Sequence, residues 1–272
     1  LAPQLEALRA DLERTFAVAF DPAAHVLTLY ASHDDALPRL REQAATAGLH
    51  LDIRFCGSVD AIRALNEGRC TLAGFHTQSQ PSSTSHTAKA YRDLLQPGLH
   101  KIIGFATRTQ GLITAAGNPQ KLHSLADVVS TQARFVQRSQ GTGTRVLLDD
   151  LLAQAKLNLE DLNNWPDEEP SHTALAEAIA SGRCDVGLGI ESTARARGLG
   201  FVPLVQEEFH LVCLKSALDT PATQALRDFL QEASWQQALN SLPGYQTQHG
   251  GEVQSLSARL PWWAFPRAKK IR

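Results

Sequence analysis

Eight consecutive residues, Arg138-Ser139-Gln140-Gly141-Thr142-Gly143-Thr144-Arg145, bring together two guanidinium groups, three hydroxyls and two glycines. The chemistry this set serves is the holding of an anion. Arginine offers a planar fork of N–H donors suited to phosphate or another oxyanion. Glycine, with no Cβ, lets backbone N–H groups come close to a ligand. The flanks show what would position these groups. Phe135-Val136 reads as a short strand, and Val146-Leu147-Leu148 as the first apolar turn of a helix. A turn that opens a helix aims unpaired N–H groups and the positive end of the helix dipole at whatever sits before it. The plainer alternative is a strand-to-helix turn with a threonine cap and two solvated arginines. The stretch is no Walker loop, for it has no Gly-Lys-Ser/Thr. Nor is it a dinucleotide fingerprint, because Val146 stands where the third glycine belongs.

Five further polar clusters fall where strands are expected to end: Ser32-His33-Asp34, Phe75-His76-Thr77, Arg108-Thr109-Gln110, Ser171-His172-Thr173 and Glu191-Ser192. Ligands of parallel α/β sheets bind beyond the carboxyl ends of the strands. The candidate ligand-binding set is therefore Ser32, His33, His76, Thr77, Arg108, Gln110, Arg138, Ser139, Gly141, Thr142, Gly143, Thr144, Arg145, Ser171, His172, Thr173 and Glu191. Each has a plainer role. Ser32 and Ser171 could cap helices, His76 and His172 could be structural donors, Arg108 could pair with a carboxylate, and Glu191 could orient an arginine. No catalytic or metal-ligating residue is assigned. The chain has no Gly-x-Ser-x-Gly elbow, no HExxH and no recognisable Cys–His pair, so an enzyme is not expected.

Around these sites apolar spacing alternates strand and helix. Strands are expected at residues 26–30, 49–55, 70–76, 101–107, 111–115, 134–136, 201–204 and 209–214. Helices are expected at 37–44, 58–67, 124–129, 144–155, 222–232 and 234–239. A helix end, Gly-Arg-Cys and a strand occur twice, at 68–76 and 182–190, as two similarly built βαβ lobes would give. The class is α/β with parallel sheets. An amphipathic helix over residues 1–17, carrying Leu1, Leu5, Leu8, Leu12 and Phe16, precedes this body. A tail, Trp262-Trp263-Ala264-Phe265-Pro266-Arg267, follows it.

At 272 residues, with 43% hydrophobic and 20% charged content, the chain can bury a large core in one domain or two lobes. A net charge of −2 argues against this segment itself gripping nucleic acid. No apolar run reaches the roughly 18 residues of a membrane span, and the acidic N-terminus lacks the features of a signal peptide. The chain opens on Leu rather than Met, which points to a processed or truncated chain. The four cysteines, Cys56, Cys70, Cys184 and Cys213, show no CxxC spacing and read as small core residues in a reducing compartment.

Taken in order, further motifs carry a resemblance. They are Arg108-Thr109-Gln110-Gly111-Leu112-Ile113, Gly117-Asn118-Pro119, the run from Arg138 through Asp149, Ser171-His172-Thr173, Gly187-Leu188-Gly189-Ile190 and Phe201-Val202-Pro203-Leu204. With Ser32-His33-Asp34 and Leu242-Pro243-Gly244-Tyr245, these resemble the periplasmic-binding-protein-like sensor domain of molybdenum-responsive helix-turn-helix transcription regulators. That domain is also fused to molybdenum-cofactor synthesis proteins. Asn164-Trp165 stands where the family has Gly-Tyr.

The resemblance implies a two-lobed, type 2 periplasmic-binding-protein-like fold with a ligand cleft between the lobes. It implies a linker at 1–25, lobe I at 26–107 and 205–260, lobe II at 108–204 and a tail at 261–272. It also implies a cytoplasmic, non-catalytic effector sensor with no catalytic cofactor and no membrane contact. Such a sensor meets DNA only through an upstream helix-turn-helix domain and forms a homo-oligomer in the full regulator. The sensed ligand would be molybdenum cofactor, molybdopterin, molybdate or tungstate. Counting charge favours the cofactor: Arg108, Arg138, Arg145 and up to three histidines exceed what one compact dianion needs. An extracytoplasmic solute-binding protein for an oxyanion, or a non-catalytic part of a cofactor-synthesis enzyme, are the alternatives.

Overall fold

The computed structural model describes residues 12, 25–79 and 82–260. The expected helix over residues 1–17, Leu12 apart, and the aromatic tail from Trp262 lie outside them. The chain begins with β1 (His25–Ala31), α1 (Ala36–Thr46), β2 (Leu49–Phe55), α2 (Ser58–Asn66), β3 (Leu72–Gln78) and α3 (His86–Arg92). In β1 the inward positions Leu27, Leu29 and Ala31 alternate with half-buried ones, the period-2 pattern of a strand. In α2 Ala61, Ile62, Ala64 and Leu65 give one buried helical stripe. β1 pairs in parallel with β2 and with β3.

Two strands of fifteen residues, β4 (His100–Thr114) and β8 (Gly200–Leu214), organise the rest. They run antiparallel from His100 against Leu214 to Thr114 against Gly200. Between them in sequence come α4 (Leu125–Thr131), β5 (Arg134–Arg138), α5 (Gly143–Ala155), β6 (Asn163–Glu169), α6 (His172–Ala180), β7 (Val186–Ile190) and α7 (Glu191–Arg195). After β8 come α8 (Pro221–Gln231), α9 (Ala233–Asn240), β9 (Tyr245–Thr247), β10 (Val253–Ser255) and α10 (Leu256–Arg259). The strand order is β2-β1-β3-β8-β4-β7-β5-β6, with β9 and β10 also on β4.

This corrects the expected pairs of short strands at 101–107/111–115 and 201–204/209–214. Arg108-Thr109-Gln110 and Glu207 are not strand ends but the middle of a continuous ladder, polar because they pair with one another across it. It also corrects the expectation of parallel sheets. β3–β8, β4–β8 and β4–β7 are antiparallel, since β4 and β8 cross the molecule in opposite senses. Register shifts beside Phe105 and between Gln110 and Gly111 interrupt the β4–β8 ladder on either side of its centre; such irregularities bend and twist a sheet.

The fold is a mixed α/β, two-lobed one. Two core clusters draw on residues 27–106 and 209–260 and cover opposite faces of β1, β3 and the adjoining halves of β4 and β8. One holds Leu37 and Leu40 of α1 with Phe229 and Trp235; the other holds Ile62 and Leu65 of α2 with Tyr91 of α3. Two more clusters, from residues 112–199, do the same around β5 and β7, with Leu147, Leu148 and Leu152 of α5 on one face and Leu175 and Ile179 of α6 on the other. Burying each such leucine or isoleucine contributes about 1.5–3 kcal/mol. The repeated Gly-Arg-Cys occupies the same place in each lobe. Gly68 and Gly182 take φ of +71° and +73° just after α2 and α6, and Cys70 and Cys184 are buried.

Candidate functional site

Between the lobes lies a cavity of about 600 Å³, lined by Ser32, His33, Phe55, Cys56 and Gly57 from lobe I and by Arg138, Ser139, Gln140, Thr142, Pro170 and Ser171 from lobe II. Three helices begin at its wall. Gly57, Thr142 and Ser171 are the N-cap residues of α2, α5 and α6. Thr142 and Ser171 accept the N–H of Arg145 and Ala174, whereas no side chain caps α2. Three helix dipoles therefore add positive potential at one place.

Arg138, at the end of β5, is 3% exposed, with no carboxylate among its hydrogen-bond partners. Its Nε donates to Glu169 O at 3.1 Å and its Nη2 to Pro170 O at 3.0 Å, while Nη1 is buried without a partner. Burial, helped by the nearby Arg108 charge, pulls its pKa down to about 10, so it stays cationic at neutral pH. A buried cation held by carbonyl groups alone, with its Nη1 amino group left over beside a cavity, is a socket for an anion.

The other expected cations are committed elsewhere. Arg108, 1% exposed, donates through Nε and Nη2 to Glu207 Oε2 at 3.1 and 3.0 Å and through Nη1 to Asp34 Oδ2, which also accepts from Tyr245 OH at 2.9 Å. Gln110 donates Nε2 to Glu207 and to Thr144 Oγ1 at 3.2 Å, and Thr144 Oγ1 meets His172 Nε2 at 3.4 Å. Arg145 donates to Gln137 and pairs with Asp149 and Glu168, away from the cavity. His76 and His172 are held well below the ordinary histidine range by burial first and by the arginine charges next, so both are neutral. The charge count read from sequence is thus corrected. Among the described residues Arg138 is the arginine that lines this cavity, because Arg108 and Arg145 have carboxylate partners, and the buried His76 and His172 carry no charge.

Of the candidate set, Ser32, His33, Arg138, Ser139, Thr142 and Ser171 line the cavity. His76, Gln110, Gly143, Thr144 and His172 sit buried behind it, His76 beside Ser32 at 3.5 Å. Gly141 instead sets its carbonyl against Gly57, where a Cβ would come within 2.5 Å of the oxygen. Thr77 pairs with His210 at 3.0 Å. Thr173 lines a separate, more open interlobe groove, and Glu191 pairs with Arg195 at 3.1 Å. Adjacent strand residues face opposite ways, and adjacent helix residues about 100° apart. His76 and Thr77, or His172 and Thr173, therefore cannot share a wall. Phe55, Cys56, Gly57 and Pro170 went unread because apolar or small residues carry no local signal of ligand contact.

The lobes also touch through carboxylates. Asp150 of α5 accepts from the N–H of His86 (2.6 Å) and of Thr87 (3.1 Å) and from Thr87 Oγ1 (2.6 Å) at the start of α3. Asp35 accepts from Ser192 Oγ at 2.6 Å and Thr193 Oγ1 at 2.8 Å. Among the described residues no group of three or more His, Cys, Asp or Glu could hold a metal ion, and no helix is long and apolar enough to cross a membrane. The four cysteines are free; burial pushes the Cys56 thiol, on the cavity wall, up to about 11.

Comparison with known proteins matches residues 40–231 to a family model described as the PBP superfamily domain. The uncharacterized protein YvgK of Bacillus subtilis (strain 168) is 26% identical over 200 residues, which cover 74% of this chain but only 64% of YvgK. Among solved structures, L-phospholactate-bound PEB3 superposes with a TM-score of 0.57 at 15% identity, covering 82% of this chain and 100% of that one. The effector-binding domain of QuiR in complex with shikimate gives 0.56 at 14% identity, covering 76% and 95%. At such identities the likeness carries the fold alone.

Proposed function

Since this chain belongs to the PBP superfamily, we propose that it is the ligand-sensing effector domain of a one-component bacterial transcription regulator, binding an organic anion of the molybdenum-cofactor kind between its lobes. It acts in the cytoplasm without catalysis, and it reaches DNA through a helix-turn-helix segment that precedes it in a homo-oligomeric regulator. The observation that carries the anion is Arg138, buried at 3% exposure with Nη1 unpartnered and, among the described residues, no carboxylate among its hydrogen-bond partners. An anion there replaces solvent with charge-assisted hydrogen bonds and meets three helix N-termini at once.

Ligand size now supports the cofactor where the charge count does not. A cavity of about 600 Å³ falls in the roughly 300–1,000 Å³ range of sites for drug-sized molecules. A bare oxyanion, a few times the ~30 Å³ of one water, would leave most of it to solvent. PEB3 holds L-phospholactate and the QuiR domain shikimate, both organic acids in the same fold. The resemblance to molybdenum-responsive sensors supplies the molybdenum. Molybdate or tungstate, and service as a solute-binding protein, form the second reading.

The test is to purify the chain from a molybdenum-replete host, identify what co-purifies by mass spectrometry, and titrate the stripped protein with released cofactor and with molybdate. Binding of the cofactor that drops at least about tenfold in Arg138→Gln is expected, as for loss of one hydrogen bond to a charged group. Micromolar molybdate binding with no response to the cofactor would overturn the ligand; equal affinity of the variant would overturn the site.

A further inference from the structure

The two walls of the cavity differ. Arg138, Ser139, Gln140, Thr142 and Ser171 gather on lobe II, whereas the lobe I wall sets Phe55 and Cys56 beside Ser32, His33 and Gly57. Of the three large apolar side chains exposed among the described residues, Leu12, Phe55 and Leu99, only Phe55 lines this cavity, at 37% exposure. Its ring is backed by His33, with centroids 4.5 Å apart and planes at 29°. The stacking holds the Phe55 ring in place, and that ring stays partly exposed. His33 Nδ1 is buried without a partner, and Pro170 borders the cavity from the opposite lobe.

We propose that the His33–Phe55 pair is a ring-binding subsite, so that the cleft takes an anion borne on a planar, unsaturated ring rather than a compact or aliphatic one. This deepens the anion-binding reading and rests on it. The ring lies against Phe55, the partly exposed aromatic side chain of the lobe I wall. The attached anionic group reaches across to Arg138 Nη1 and the N-caps of α5 and α6. Aromatic faces stack on other π systems beyond what area burial alone contributes, and bases stack on such platforms whatever their hydrogen-bonding edge. The subsite is independent of molybdenum: it selects shape, and Arg138 selects charge.

The experiment is calorimetric titration of the whole chain with inorganic phosphate, glycerol 3-phosphate and phenyl phosphate. Phenyl phosphate should bind at least about tenfold tighter than glycerol 3-phosphate. Phe55→Leu should erase that preference while leaving inorganic phosphate within about twofold. In the unmodified protein, the phenyl protons should shift upfield on binding and the glycerol protons should not, a readout that stands even where the variant folds poorly. Equal affinity for the two organic phosphates, or a preference that survives in folded Phe55→Leu, overturns the ring subsite while leaving the anion site intact. If none of the three binds at millimolar concentration, the anion reading is overturned and the subsite falls with it.

Discussion

Asp150 and Thr87 belong to different lobes and are joined twice, the Asp150 Oδ2 accepting from both the Thr87 backbone N–H at 3.1 Å and its hydroxyl at 2.6 Å. Asp150 Oδ1 takes the neighbouring His86 N–H at 2.6 Å, so one carboxylate of lobe II caps the first turn of α3 in lobe I. Hydrogen bonds to a charged group contribute about 1.5–3 kcal/mol each when buried. Asp150→Ala should lower unfolding free energy by about 3 kcal/mol and deprotect the amides of His86 and Thr87 in hydrogen exchange. Thr87→Val should cost less, since the backbone donors remain. An unchanged denaturation midpoint for Asp150→Ala would show that the contact does not hold the lobes.

Gly57 tests the closeness of the lobes by size alone. Its φ of −62° and ψ of 151° suit any residue, so alanine brings no backbone strain. The added methyl would stand 2.5 Å from the carbonyl oxygen of Gly141 in the opposite lobe. Overpacking of this kind typically costs about 1–3 kcal/mol. We expect Gly57→Ala to keep both lobes folded, to weaken phosphate binding, and to raise the radius of gyration in solution scattering. The same affinity and radius as the parent would refute the expectation.

Arg108 has a structural role that Arg138 does not. Removing it leaves Asp34 and Glu207 buried together, and breaking such a group typically costs about 3–5 kcal/mol. Burial already raises both carboxyl pKa values, and Arg108 is the main influence opposing it. A raised carboxyl pKa contributes stability that is present below the unfolded value, near 4, and is lost as pH rises through the folded value. The penalty of Arg108→Met should therefore be larger at pH 8 than at pH 5. Urea denaturation of both proteins at the two pH values measures it, and a pH-independent difference would contradict the assignment.

His210 sets an acid limit. Burial pulls its pKa down to about 3, with the Arg259 charge adding to it; the Glu208 carboxylate 3.4 Å away is itself paired with Arg259. A base with a lowered folded pKa contributes stability above its unfolded pKa, near 6.5, and loses it as pH falls from there toward the folded value. At pH 5 this one residue should cost about 2 kcal/mol relative to neutral pH, at about 1.4 kcal/mol per unit. His210→Gln should shrink the loss of stability between pH 7 and pH 5. An identical slope in parent and variant would exclude His210 as its source.

How much of this was legible beforehand varies with the range of the forces involved. The turn from Arg138 to Thr142 could be read because strand, glycine turn, N-cap and apolar helix stripe are all local. Ser32 and Ser171 could be read because cluster position at strand ends marks the cleft. Arg108 was misplaced because its partners Asp34 and Glu207 lie 74 and 99 residues away, and nothing in its neighbourhood marks them. Arg145 was misplaced although Asp149 and Gln137 stand four and eight residues away: an i,i+4 carboxylate also fits an arginine that faces a ligand, so the sequence does not decide between the two. The two long strands were split in reading because a polar centre looks like a loop when its cross-strand partners are unseen.

The connection of β4 to β8 has a consequence for the order in which the chain acquires structure. β8 supplies the partner of β3, so the sheet of lobe I lacks a neighbour for His76 and Phe75 until residues 207–212 have arrived. All of lobe II lies in that interval, and its own ladders, β5–β6 and β5–β7, close over shorter spans of chain. Closing a short loop costs less conformational entropy than closing a long one, and local pairings form sooner. Lobe II is thus the part able to assemble first, and lobe I is completed around it. A chain emerging from the ribosome would hold β3 as an open edge through that whole interval, which makes residues 72–78 the segment most exposed to mispairing. Pulse-labelled hydrogen exchange during refolding should show the amides of β7 protected before those of β3.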